Sequence, residues 1–330
     1  YAFKRRGVSL RTFIFMGLDG ASVMTGTKTG VTSLWREHVQ PHSCSIHCHC
    51  HKLALGVGDT NALTPWCADL DEFITSIYSL VKNSTNNREQ LQVFAQEFGE
   101  KYLAPKKLHK VRWLGRLRAV EQIDNMKNSW LQLCEQSKSE AGVKCARLLR
   151  SYEFQARIAF MRDMHSLLGG LCCLFQTQHP HLVQLDQIKP ALAEVQNSLV
   201  GSYLGENPSG SRRVAAREAQ LLQTGKIDEL EPKLEELEEK GTPNIKANIA
   251  KQRAWMCDYV MNLLNVLDTR FPDISVIDAF KIFMPISYYK SVQNMYKEGK
   301  LVQYGQKELK VLLDQFGVER TITAEPISMF

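Results

Sequence analysis

The alternation of apolar and polar positions changes period twice near the start of the chain. Thr12 to Leu18 is a β-branched and aromatic run closed by Asp19-Gly20, which predicts a short buried strand ending in a turn. Over 27–39, Val31, Leu34, Trp35 and Val39 recur at helical spacing; Ser43 to Cys48 offers a second strand, and from His51 the period is helical again. Strand, helix and strand in so short a length imply a parallel pair belonging to a larger sheet. The remaining pattern supplies no further strand. Helical periodicity fills 67–82, 86–98, 113–136, 141–176 and 180–199, and Gly, Ser, Asn and Pro gather at 201–213 as a linker. Leu230, Leu234 and Leu237 place a solvated amphipathic helix over 226–240. A long helix over 245–267 is closed by Phe271-Pro272, an apolar segment spans 276–284, and a last helix covers 305–316. The fold class expected is α/β plus α: a strand-helix-strand beginning followed by a mainly helical body.

Composition adds little to this until its distribution is considered. With 44% hydrophobic and 23% charged residues in 330, the chain is globular rather than disordered, and 41 Lys and Arg against 35 Asp and Glu is a mild surplus. The charges are segregated. Residues 101–118 carry Lys101, Lys106, Lys107, Lys110, Arg112, Arg116 and Arg118 with no acid, whereas 228–239 carries Asp228, Glu229, Glu231, Glu235, Glu236, Glu238 and Glu239 against Lys233. One basic and one acidic surface are expected if the two stay apart. Nine cysteines without framework spacing, in a chain too long to need staples, point to a reducing compartment. The sequon Asn83-Ser84-Thr85 stands without any other sign of secretion. No apolar run approaches the ~20 residues that span a bilayer, so no membrane partner is expected. The opening stretch is too short in apolar residues for a signal peptide, and its initial Tyr suggests an interior piece of a longer product.

Three places carry candidate chemistry. Asp19 ends the first predicted strand, where a carboxylate can project into a cleft and ligate Mg²⁺, or can serve as the first residue of an Asp-Gly turn. The glycines at 17, 20, 26 and 30 match neither dinucleotide nor Walker spacing. Around 47-HCHCHKLAL-55 lie His38, His42, Cys44, His47, Cys48, His49, Cys50 and His51. Zinc needs four convergent ligands, but strand alternation sends Cys44 and Cys48 to one face and His47 and His49 to the other. Cys48 and His51 straddle the turn into the helix. Scaffold residues are therefore expected here rather than structural zinc, with His47 and Cys50 incidental. The third place is 110-KVRWLGRLRAV-120, where Arg112, Arg116 and Lys107, with Lys110 beside them, can neutralise phosphates while Trp113 stacks on an exposed base. The bland counterpart is a helix start with a core tryptophan and solvated cations.

GLDGASVMTG, then Cys48-x-x-His51, then VRWLGR, in that order, resembles the core of hAT-superfamily transposases and the vertebrate zinc-finger-associated proteins derived from them. The later DYVMNLLNVLDTRFPDISVIDAFKIFMP and YGQKELKVLLDQFG are similar to the same family, so the resemblance spans roughly 10–318. It implies a partial RNase H-like core at 1–51, a helical insertion domain at 52–270 and a return segment at 271–330. It also implies a nuclear location, cytoplasmic otherwise. By resemblance Asp19 is the second acidic residue of a carboxylate triad that binds Mg²⁺ for DNA strand cleavage and joining. Cys48 and His51 then support the active site, and Arg112 and Trp113 handle a flipped base.

The pattern also departs from the family. No first carboxylate precedes Asp19, and Val318-Glu319-Arg320-Thr321 and Glu325 match the catalytic Glu helix poorly. Two-metal chemistry needs carboxylates converging on ions about 4 Å apart. The expectation is a hAT-derived chain that is catalytically inactive as given, without a bound cofactor, and retains DNA binding. A helical protein-interaction scaffold is the alternative.

Overall fold

The computed structural model describes residues 5–7, 15–41, 43–108, 113–176, 182–206, 210, 212–224, 245–271, 276, 279–283, 294, 297–299 and 304–316. It is mainly helical, with one two-stranded parallel sheet. The chain divides into two compact units: Tyr1–Lys52 with Leu174–Ala191 and Phe271–Phe330, and Leu53–Cys173 with Leu192–Arg270. The sequence reading keeps 52–270 whole, whereas the structure groups 174–191 with the first unit.

In the first unit β1 (Phe15–Leu18) pairs in parallel with β2 (Cys44–His47), Phe15 opposite Cys44 and Leu18 opposite His47. The crossover holds a single turn, α1 (Ser22–Thr25), and α2 (Val31–His38). Parallel strands require such a crossover. Arg36 of α2 clips it to β2, its Nε donating to Ser43 O at 3.0 Å and its Nη2 to Ser45 Oγ at 3.1 Å. Ile46 packs with Phe175 on Ile188, which supplies apolar cover that so small a sheet lacks by itself. A 3₁₀ turn, Phe280–Phe283, and α13 (Gln306–Phe316, numbered after the helices below) complete the described part.

The second unit is a helical bundle. It contains the greater part of α3 (His49–Ala62), then α4 (Trp66–Lys82), α5 (Thr85–Glu97), α6 (Trp113–Asn125), α7 (Lys127–Gln136), α8 (Glu140–Arg150), most of α9 (Tyr152–Phe175), the end of α10 (Leu182–Leu199), α11 (Arg212–Thr224) and α12 (Ile245–Arg270). The apolar stripe read from 67–82 is the buried face of α4: Leu70, Phe73, Ile74, Ile77 and Val81. Ser84 and Ser139 cap α5 and α8, accepting from the backbone N–H of Asn87 and Gly142.

The bundle differs from the sequence reading in three places. The helix expected over 113–136 breaks at Met126, because the Glu100 carboxylate accepts the N–H groups of Asn128 and Ser129 and so caps a new helix from outside it. The one expected over 141–176 breaks at Ser151, whose backbone is extended and whose hydroxyl accepts from Phe154 N–H. The expected linker begins instead as a π-helical turn, Val200–Leu204, with Tyr203 buried edge-on against Phe160. The acidic helix expected over 226–240 lies outside the described residues. α9 is long and apolar enough to cross a membrane, a property shared by core helices of soluble proteins, although the sequence shows no uninterrupted apolar run of that length. Ala156, Ala159, Phe160 and Met161 of that helix are fully buried.

Buried charges in the bundle are paired. Asp124 of α6 accepts from Arg162 of α9 and Arg217 of α11, Glu218 of α11 accepts from Arg253 of α12, and Arg213 reaches Asp163. Asn61 accepts from Tyr259 Oη at 2.9 Å and from the Cys67 thiol at 3.5 Å, joining α3, α4 and α12. Burial pushes that thiol up to about 12, so Cys67 is an inert core group.

Candidate functional site

Two separate places hold the sequence candidates. In the first unit, Asp19 and Cys48 follow directly on the carboxyl ends of β1 and β2, the edge at which open α/β sheets bind ligands. Asp19 is exposed, and its Oδ1 accepts from Ala21 N–H at 3.1 Å, so the carboxylate closes a local turn. Gly20 adopts φ +82°, and a Cβ there would overlap the His47 ring. The turn thus needs glycine for both backbone and space. Cys48 N–H extends the ladder by donating to Leu18 O at 2.6 Å, and its carbonyl accepts the Lys52 N–H at 2.9 Å to start α3. The Cys48 side chain is exposed.

The His51 ring lies against His47, with centroids 5.3 Å apart. His47, read as incidental from sequence, therefore contacts both Gly20 and His51. The available signal was the glycine of the Asp19-Gly20 turn, which leaves room for a close neighbour. His49 sits between Phe175 and Phe271 at 5.5 and 5.8 Å, and its Nε2 has no hydrogen-bond partner among the described residues. Burial, then the nearby Lys52 and His47, lowers its pKa to about 4. Lys52 places Nζ over the Phe271 ring at 5.7 Å. Burial also pushes the Cys44 thiol up.

Among the described residues no three of His, Cys, Asp and Glu converge closely enough to hold a metal ion. Mg²⁺ requires octahedral oxygen ligation. One exposed aspartate whose oxygen is engaged in a turn does not fit a two-metal centre.

The second place is the basic segment. Its course over 101–107 is fixed by neighbours: Leu103 N–H donates to Met126 Sδ at 3.1 Å, and Gln122 Nε2 donates to Leu103 O. Lys101, Lys106, Lys107 and Arg118 are exposed. Arg116 is not one of these free cations. Its Nη2 lies 2.5 Å from Asp71 Oδ2, with the two side chains only 13% and 19% exposed. Lys110 and Arg112 fall outside the described residues, and Trp113 is the first residue of α6. What the segment offers chemically is a row of solvated cations leading into the start of a helix, suited to phosphates.

No protein-family model matches the chain, and no solved structure matches it significantly.

Proposed function

We propose that the protein is derived from a hAT transposase and binds DNA with exposed bases along 101–118, while this chain by itself cleaves no DNA. The observation that carries the binding reading is the exposed Lys101, Lys106 and Lys107 on a segment held in place by Met126 and Gln122, with exposed Arg118 on the helix that Trp113 begins. Exposed cations neutralise phosphates, and an aromatic at their end adds a stacking surface for a base. The parallel pair with Asp19 at its carboxyl edge and the helical body that follows support an RNase H-like core interrupted by an insertion. Asp19, Cys48 and His51 would then stand at that core's active-site edge, in a nuclear protein.

Fluorescence anisotropy with single-stranded and duplex DNA at low and high salt tests the binding. The expected result is weak, salt-sensitive binding that favours the single strand and falls in Trp113→Ala; equal binding by wild type and variant removes Trp113 from the interface. Incubation of the chain with Mg²⁺ and a DNA hairpin should leave the hairpin intact, and nicking would sink the claim of inactivity.

A further inference from the structure

We infer that Asp71 is the positioning residue of this interface, holding the first turn of α6 through Arg116. The inference rests on the reading of 101–118 as a nucleic-acid interface. Arg116 comes three residues after Trp113, hence on the opening turn of the same helix. Its partner Asp71 lies 45 residues earlier, in the middle of α4. The Asp71 neighbours Leu70, Phe73 and Ile74 are 1%, 2% and 1% exposed, so the carboxylate is mounted on a helix anchored in the core.

The second oxygen, Asp71 Oδ1, is buried without a partner among the described residues. Two uncharged titratable groups face Arg116, and Arg157 lies beyond Cys67. Burial, and then the charge of Arg116, holds His165 neutral, and the Cys67 thiol is held protonated.

Positioning separates two kinds of contact. A lysine on a flexible stem finds a phosphate from many directions, whereas a ring stacks on a base only when its plane is set. Loss of the Asp71 charge is therefore expected to remove the contribution of the bases and leave that of the phosphates. The experiment compares a fluorescein-labelled single strand of about 12 nucleotides, within the range of ordinary single-strand sites, with an abasic strand of equal length. Anisotropy is read over a series of salt concentrations.

Wild type should prefer the strand with bases by about tenfold, the effect of one stacked base. Asp71→Asn should bring the preference within about twofold of parity, with an unchanged salt slope and native helix content. The exchanged pair Asp71→Arg/Arg116→Asp should recover the preference. A full preference in Asp71→Asn overturns the positioning role. If Asp71→Asn unfolds at the assay temperature, the exchanged pair decides: native helix content with no preference overturns the inference. Wild type and Trp113→Ala binding both strands alike is a separate result, and it removes the interface reading itself.

Discussion

At the strand ends of the first unit, His49 is held neutral between the rings of Phe175 and Phe271, whereas in the second unit Asp124 is ion-paired between Arg162 and Arg217. The same need, a polar side chain removed from water, is met in one place by a depressed pKa and in the other by ion pairing. The difference shows where composition misleads. A stretch dense in His and Cys looks reactive yet is fitted into turns and aromatic packing. A helical body that reads as plain scaffold holds the connected charges. His165 is the bundle's exception, a fully buried histidine with its pKa lowered to about 3 by burial and by Arg116.

Breaking the comparison on its ionic side should have the largest effect. Asp124→Ala leaves two arginines facing a buried gap, and losing one partner of a buried pair costs about 3–5 kcal/mol. Thermal unfolding followed by circular dichroism should show a midpoint lower by on the order of 10 °C. Replacing Asp124, Arg162 and Arg217 together by apolar residues of similar size should restore most of that loss.

On the other side, Gly20→Ala forces a side chain into the left-handed region and onto the His47 ring. The expected cost is about 1–3 kcal/mol, checked by urea unfolding together with displacement of the His47 ring resonances. Unperturbed His47 resonances would contradict the close approach.

Per pH unit, titration of His49 has a smaller effect. His49 has a folded pKa of about 4 against an ordinary value of about 6.5, so between these values the unfolded chain binds the extra proton. Stability is therefore full above about pH 6.5 and declines as pH falls toward 4, by at most about 1.4 kcal/mol per pH unit for this one group. His49→Phe should flatten the decline measured by urea titrations across that range, leaving the part due to His165. An unchanged slope would place His49 in contact with water.

How far the sequence revealed this molecule depended on whether causes were local. The β-branched run before Asp19, the stretch Ser43 to Cys48 and the apolar stripe of α4 announced β1, β2 and the helical body, because strand and helix periods are written in adjacent residues. The breaks at Met126 and Ser151 escaped, the first because its cap is a carboxylate from Glu100, outside the helix it starts. The fate of Arg116 was equally hidden. Its charge suggested a phosphate ligand, but its partner Asp71 is 45 residues away and becomes visible only when α4 and α6 pack.

If the exposed cations of 101–118 bind DNA as proposed, the salt dependence of single-strand binding must differ between wild type and Lys106→Ser/Lys107→Ser. Each phosphate contact on a single strand contributes about 0.7 to the slope of log affinity against log salt, so the double variant should bind more weakly with a slope shallower by about 1.4. A slope and affinity equal to wild type would contradict the account.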